Sequence, residues 1–166
     1  MPALGVGRLV SDLRLENDPS AKAGVPPHLT LMFPFVPPAE LTEGTIDLLA
    51  ALIAAAAPFD FAMTRVREFE HGVVYLEPDP AAPFMRLSGR IGGRFSLLPF
   101  GGAFGEHPIP HLTVAMPESG ATRRQIAGQL DSELPLLLRA EEAWLMVGSN
   151  AAEWRTIRTM PFGNGS

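Results

Sequence analysis

The octapeptide PPHLTLMF (26–33) places a histidine and a threonine in an otherwise apolar run, and IPHLTVAM (109–116) repeats the arrangement. In each copy a proline precedes the histidine, leucine and threonine follow, and an apolar residue ends the motif. Because alternate side chains of a strand share a face, histidine and threonine are expected on one face and the apolar residues on the other. The sequence therefore predicts two polar faces, each with apolar backing.

These faces suit phosphodiester chemistry if they meet across a cleft. A neutral imidazole takes a proton from an attacking hydroxyl or water, and an imidazolium gives one to the leaving oxygen, so His28 and His111 are the candidate catalytic residues. The hydroxyls of Thr30 and Thr113 can donate hydrogen bonds to the non-bridging phosphate oxygens, where negative charge concentrates. A lone strand histidine is usually structural, and threonine simply favours strands. The repetition of the pair favours function.

The rest of the chain predicts two halves with the same element order, strand, helix, strand, strand, inside one domain of two lobes spanning 1–166. The approximate half-repeats are 26–80 and 108–162. Up to residue 97 the predicted elements are strands at 3–10 and 28–35, a helix at 38–57, a hairpin at 59–78 and a helix at 82–97, with a polar link at 11–27. Beyond a loop at 98–110 they are a strand at 111–116, a helix at 119–133, and strands at 136–147 and 153–160.

Composition excludes several classes of protein. The 166 residues are 46% hydrophobic and 19% charged, which is typical of a soluble globular protein and not of a disordered one. The longest membrane-like run, 48–59, is too short to span a bilayer. A net charge of −5 argues against coating long nucleic acid but not against binding one phosphate. A cytoplasmic monomer that does not bind membranes is expected.

The sequence indicates no metal site and no cofactor. There is no cysteine to supply a thiolate ligand or nucleophile, and neither H-E-x-x-H nor a P-loop motif occurs. His107 and His111 have a spacing that would bind metal on a helix, but the two prolines of HPIPH (107–111) prevent one. His71 begins a His-Gly turn and is interpreted as a solvated turn residue.

Four further residues are candidates for lining the substrate site. Phe33 and Tyr75 could stack on a nucleobase, although core packing is the alternative for both. Gly101 and Gly102 could let backbone amides approach a phosphate, although such glycines are common in ordinary loops.

Paired H-x-T-(apolar) motifs, one in each half, resemble those of the 2H phosphoesterase superfamily, and more closely those of its bacterial 2′-5′ RNA ligase branch. DPSAKAGVPPHLTLMFPF (18–35) is similar to the first motif region of that branch, and PFGGAFGEHPIPHLTVAM (99–116) to the second. The resemblance implies a bilobal α+β fold in which two pseudo-twofold-related antiparallel sheets, flanked by helices, line a central cleft.

The resemblance also implies metal-independent hydrolysis or transesterification, with catalytic roles for His28 and His111 and phosphate-binding roles for Thr30 and Thr113. Two departures concern the substrate. Phe33 stands where many relatives have tyrosine, and AMPE (115–118) follows the second motif where some members have an arginine.

Three functions remain open at this stage. The leading hypothesis is a phosphodiesterase for 2′,3′-cyclic or 2′-5′-linked ribonucleotide phosphates at nucleotides or RNA ends, with ligation as the reverse reaction. The same chemistry would serve the cyclic phosphate of ADP-ribose. A non-catalytic module that binds nucleotides or RNA ends belongs to a different class, but binding alone gives no reason to keep both histidines.

Overall fold

The protein is an α+β fold, seen here in a computed structural model that describes residues 1–105, 108–149 and 152–163. The α-helices of this part of the chain are α1 (Gly7–Asn17), α2 (Pro19–Lys22), α3 (Glu43–Ala54), α4 (Ala82–Phe95) and α5 (Arg123–Leu130). Its strands are β1 (Phe59–Glu68), β2 (Val74–Asp79), β3 (Leu112–Ala115), β4 (Leu136–Ala140), β5 (Glu142–Ser149) and β6 (Ala152–Pro161). Short 3-10 turns lie at Leu4–Val6, Pro38–Glu40, Pro99–Gly102 and Pro117–Ser119.

The strands form two antiparallel sheets, as the family resemblance implies. One sheet has four strands in the order β3-β2-β1-β4, and the other is the pair β5-β6. The hairpin predicted at 59–78 is confirmed as β1 and β2. Thr113 of the second motif lies opposite Tyr75 of that hairpin in the register of β2 with β3. The hairpin of the first half therefore holds the motif of the second half.

The first motif has a corresponding neighbour in the other sheet. The backbone N–H of Trp154, in β6, donates to the carbonyl of Ala23 at 2.7 Å, and the ring of Trp154 lies 6.1 Å from that of Phe33. The chain on both sides of the first motif is thus in contact with β6. Whether 26–80 and 108–162 are true half-repeats, and the two parts true lobes, stays a prediction.

The core confirms the predicted alternation in both motifs. Leu29 and Leu112 are fully buried, and Leu31 and Val114 are buried as well, whereas each histidine and threonine between them remains partly accessible. Burying such aliphatic side chains contributes about 1.5–3 kcal/mol each. The apolar backing thereby anchors each motif to the core, and the polar face is left toward solvent.

The strand predicted at 3–10 is wrong, because this segment is helical. A 3-10 turn at Leu4–Val6 leads into α1, which continues into the predicted polar link as far as Asn17. Val6, Val10 and Leu13 recur at helical spacing and are buried. Gly5 and Gly7 obscured this periodicity in the sequence. Gly7 has a φ of +84° and marks the junction between the 3-10 turn and α1.

The strand predicted at 28–35 is also wrong as regular structure. Only an isolated bridge between Pro2 and His28 forms, in which the backbone of Leu29 exchanges hydrogen bonds with Met1. Pro26, Pro27 and Pro34 lack the N–H groups that a longer ladder would need. The segment is irregular, with bends at Leu31, Phe33 and Pro34, and the prolines in and before it cannot donate to a ladder.

Other predicted boundaries differ from the structure because capping side chains fix where the helices begin. Thr42 and Thr122 each accept a hydrogen bond from a backbone N–H three residues later, so α3 and α5 begin after the starts predicted at 38 and 119. The strand predicted at 136–147 is two strands in different sheets, divided at Glu141. The helix predicted at 82–97 and the strands at 111–116 and 153–160 are confirmed, with end shifts of no more than two residues.

Among the described residues, no helix has the length and apolarity to cross a bilayer.

Candidate active site

The two motif histidines adopt the same local arrangement. Nδ1 of His28 lies 2.9 Å from the carbonyl oxygen of Pro26, and Nδ1 of His111 lies 2.8 Å from that of Ile109, in each case two residues back along the chain. A carbonyl oxygen can only accept, so Nδ1 carries the proton in both rings. The neutral imidazoles therefore present an unprotonated Nε2, which is the atom that can take or return a proton.

The other polar atoms of the two motifs are the Nε2 atoms of the histidines and the hydroxyls of the threonines. Within the described part of the chain, neither Nε2 of His28 and His111 nor the hydroxyls of Thr30 and Thr113 have a protein hydrogen-bond partner. All four residues are partly accessible, so these groups are free to bind a ligand. Four unpaired groups on the two motif faces therefore constitute a candidate ligand site.

One cavity connects the two motifs. Thr30 of the first motif and His111 of the second line the same cleft, together with residues of α4 and of the loop before β3. His28 shares the accessible face of its segment with Thr30. The remaining lining residues are Phe84, Met85, Ser88, Phe100, Pro108, Ile109 and Pro110. The face-to-face placement of the two imidazoles around one phosphate stays a prediction.

Both imidazoles are held toward the neutral form. Burial lowers the pKa of His28 to about 4, with the amino group of Met1 and the guanidinium of Arg14 acting in the same direction. Burial also lowers the pKa of His111, and the charge of His71 adds to this effect. The carbonyl hydrogen bond opposes burial in each case, because it favours the protonated ring. An anionic ligand between the rings would oppose it further.

An aromatic wall, which we define as Phe69, His71, Tyr75, Phe100 and Phe104, surrounds His111. The rings of Phe69 and Tyr75 meet the His111 ring edge-on at 5.0 and 5.6 Å, and that of Phe100 stacks on it at 6.5 Å. His71 stacks between Phe69 and Phe104, at 5.3 and 5.6 Å. His71 is exposed and lies in the predicted turn, which confirms the interpretation of a solvated turn residue; its ring contacts with Phe69 and Phe104 are an addition that the sequence did not indicate.

The four secondary candidates have different environments. Phe33 is 47% exposed, and its carbonyl accepts the N–H of Phe100, so it joins the first motif to the loop before the second. Tyr75 is buried in the aromatic wall, and burial raises the pKa of its hydroxyl. Gly101 and Gly102 have φ of +61° and +82° and shape the turn that presents Phe100. Substrate contact by any of the four stays a prediction.

Sequence reasoning missed most of the aromatic wall and of the cavity lining. Phe69, Phe100 and Phe104 lie in segments that were interpreted only as strand or loop, and Met85 and Ser88 belong to an amphipathic helix with no chemical motif. One signal in the sequence was available: the rings of the aromatic wall cluster around the turn before β2 and in the loop before β3.

The described residues contain no group of three or more His, Asp or Glu that could hold a metal ion. His107 lies outside the described residues, so the absence of a metal site stays a prediction.

Comparison with known proteins identifies the family. The family model described as the 2′-5′ RNA ligase superfamily matches residues 2–152, and the chain belongs to this superfamily of 2H phosphoesterases. A protein of Bacillus licheniformis named as a candidate phosphoesterase is 25% identical over 135 residues, covering 78% of this chain and 75% of that protein. Another from Bacillus cytotoxicus, with the same kind of name, is 31% identical over 120 residues, covering 71% and 67%.

The burial of His28 predicts a pH-dependent stability. Above pH 6.5 the ring is neutral in both the folded and the unfolded chain, and it contributes nothing to the pH dependence. Below pH 6.5 the unfolded chain takes up a proton that the folded chain resists until about pH 4, so stability falls as pH falls. The loss should approach about 3 kcal/mol near pH 4. Urea unfolding between pH 7.5 and 4.5 measures it.

The control is His28→Gln, which has no titrating ring but retains every carboxylate of the chain. Its unfolding free energy should fall less steeply with decreasing pH than that of the natural protein. Parallel curves for the two proteins would contradict the burial of a neutral imidazole at this position.

Proposed function

We propose that this protein is a metal-independent phosphodiesterase that cleaves 2′,3′-cyclic or 2′-5′-linked ribonucleotide phosphates by two-histidine acid–base catalysis. It needs no cofactor, and its substrate is a small nucleotide or an RNA end. We further propose that it acts in the cytoplasm as a monomer. Family membership supports the reaction class, and the site geometry supports the division of roles among the residues.

One observation carries the proposal. Both motifs orient the imidazole by the same hydrogen bond to a carbonyl two residues back, and both place, two residues ahead, a threonine hydroxyl that has no partner among the described residues. Thr30 and His111, one from each motif, line a single cavity. A purely structural histidine would give no reason for both Nε2 atoms to lack protein partners among the described residues.

In the proposed reaction, Nε2 of one neutral histidine removes a proton from the attacking water. The water oxygen bonds to phosphorus as the bond to the 2′ or 3′ ribose oxygen breaks. Nε2 of the other histidine, in its protonated form, donates a proton to that leaving oxygen. The two rings have then exchanged protonation states, and a proton exchange with solvent restores them. Which histidine acts as the base is left open.

The threonines bind the phosphoryl group in this scheme. The hydroxyls of Thr30 and Thr113 donate hydrogen bonds to the non-bridging oxygens, whose negative charge increases in the transition state. They lie on the same face of the chain as the histidines of their motifs. The apolar residues of the cleft, such as Phe84 and Met85, exclude water and strengthen these hydrogen bonds.

The surroundings of the cleft favour a nucleoside substrate. Phe104 is 56% exposed and Phe33 is 47% exposed, so two aromatic faces are available for stacking on a base. ADP-ribose cyclic phosphate carries an adenine as well and is the second candidate substrate. RNA joining would be the reverse reaction, driven by the strained cyclic phosphate or by concentration, with no nucleotide triphosphate consumed.

We expect chelated protein in nucleotide-free buffer to cleave at least one member of a defined panel. The panel contains 2′,3′-cyclic nucleotides, 2′-5′ and 3′-5′ dinucleotides and ADP-ribose cyclic phosphate. His28→Ala or His111→Ala should each lower kcat by at least about 10². Thr30→Val or Thr113→Val should weaken transition-state binding by about 1–3 kcal/mol, because one hydrogen bond is lost. The double histidine variant should be far less than multiplicatively worse.

His71→Ala is a comparison variant, because it removes a histidine that lies outside both motifs and acts on His111 only through its charge and the packing of the aromatic wall. Near-native activity in either motif variant would contradict the two-histidine assignment. Activity that disappears with chelator and returns with added zinc, manganese or magnesium would contradict the metal-independent mechanism. Tight nucleotide binding with no turnover on any substrate would favour the non-catalytic module.

We expect a bell-shaped pH dependence of kcat/KM, because one histidine must be neutral and the other protonated. Both pKa values lie below the ordinary 6.5, so the optimum should fall on the acid side of pH 6.5. The limbs report macroscopic values of the pair and not of either residue. The profile of kcat should lie at higher pH, since bound phosphate favours the protonated ring.

Steady-state rates between pH 4 and 9, measured in constant ionic strength, check this expectation. A rate that rises monotonically over the range would contradict paired acid–base catalysis and favour a single base. A kcat/KM optimum above pH 8 would contradict the lowered pKa values.

A further inference from the structure

A buried ion pair lies behind the first motif and outside the cleft. Arg14 and Asp18 of the N-terminal segment are 1% and 3% exposed, and Nη2 of Arg14 lies 2.7 Å from Oδ2 of Asp18. The same Nη2 donates to the hydroxyl of Ser20 at 3.2 Å, and Asp18 Oδ1 accepts the N–H of Ser20 at 2.9 Å. No other charged side chain of the described residues is buried to this extent.

The other terminal nitrogen of the Arg14 guanidinium binds the backbone just before His28. Nη1 of Arg14 donates to the carbonyl of Val25 at 3.1 Å, and the N–H of Val25 donates to the carbonyl of Ser20 at 3.0 Å. The next carbonyl along the chain, that of Pro26, is the one that accepts Nδ1 of His28. One peptide unit therefore separates the group held by Arg14 from the group that orients the imidazole.

Stability alone is a weak reason for such a pair. Nε of Arg14 is buried without a hydrogen-bond partner among the described residues, which adds a desolvation penalty to an already costly arrangement. Well-packed apolar residues of similar volume often replace buried ion pairs without loss of stability. An apolar pair could not donate a directional hydrogen bond to the Val25 carbonyl, as Arg14 does.

Among the described residues, no buried ion pair supports the second histidine. Its orienting carbonyl belongs to Ile109, which is 55% exposed and lies between two prolines. Packing around His111 comes from the aromatic wall. The two imidazoles thus have the same local geometry but are supported by different means, one by a buried charge pair and the other by rings.

We infer that Arg14 and Asp18 form a positioning pair that fixes the Val25–Pro26 loop and thereby the orientation of His28. As far as it concerns turnover, the inference rests on the proposed function. Neither residue touches the cleft as lined above, so both act through His28. Three charged groups act on this imidazole: the amino group of Met1, Arg14 and Asp18.

The main test replaces both members of the pair at once, as Arg14→Met with Asp18→Asn. This leaves no unpaired buried charge, and asparagine keeps the cap that accepts the N–H of Ser20. The matched control is Arg8→Met with Asp12→Asn, an exposed ion pair in the same helix with the same four-residue spacing. We expect kcat to fall about 10- to 100-fold in the buried double variant and to stay unchanged in the control.

Arg14→Lys is the milder variant if the double one folds poorly. It keeps the charge but loses the planar fork that reaches Val25 and Asp18 from two nitrogens, so a smaller loss of kcat is expected. Combining the buried double variant with His28→Ala should add less than about twofold, because both changes act on the same group. Full additivity in that combination would overturn the inference.

NMR titration of the histidines tests the inference without any substrate. In the buried double variant the midpoint of His28 should move up from about 4 toward the ordinary 6.5, while that of His111 stays in place. Equal shifts of both histidines, or none, would overturn the positioning role. If no substrate of the panel is cleaved by the natural protein, the proposed function fails, but these titrations still decide the role of Arg14 and Asp18.

Discussion

Two hydrogen bonds, from Nδ1 of His28 to the Pro26 carbonyl and from Nδ1 of His111 to the Ile109 carbonyl, determine what this site can do. Each fixes the ring rotation and the tautomer together, because the acceptor cannot donate. With Nδ1 occupied, Nε2 is the only ring atom that can act on a ligand. The fully buried Leu29 and Leu112, each next to a histidine, keep the backbone in place so that these bonds can form.

The two motif histidines have the same local hydrogen-bond geometry, but different kinds of residues surround them. His28 follows a proline-rich segment that a helix and a buried ion pair support, and burial holds the pKa of this imidazole at about 4. His111 precedes a regular strand and is packed by rings, with a pKa that burial also lowers. The surroundings of the two imidazoles therefore differ in kind, although burial lowers the pKa of both.

The motifs, the hairpin and helix α4 could be predicted because periodicity and turn residues are local signals. The prediction of a strand at 28–35 was wrong, because prolines in and before the segment lack the N–H groups that a hydrogen-bonded ladder needs. The apolar content of the segment does not reveal this. The helix at Gly7–Asn17 was hidden by glycines in an apolar run. The aromatic wall could not be found at all, because it depends on which distant segments pack together. Arg14 and Asp18 are only four residues apart, but their burial could not be predicted because it depends on the tertiary packing around them.

Binding of a reaction product tests the central claim, that His28 and His111 address one phosphate, most directly. Chelated protein labelled with ¹⁵N at histidine would be titrated with 2′- and 3′-nucleoside monophosphates and followed through the imidazole nitrogens. The account predicts that the Nε2 signals of both His28 and His111 shift along one saturation curve, while Nδ1 of each ring stays bonded to its carbonyl. A response confined to one histidine, or two separate saturation curves, would contradict it.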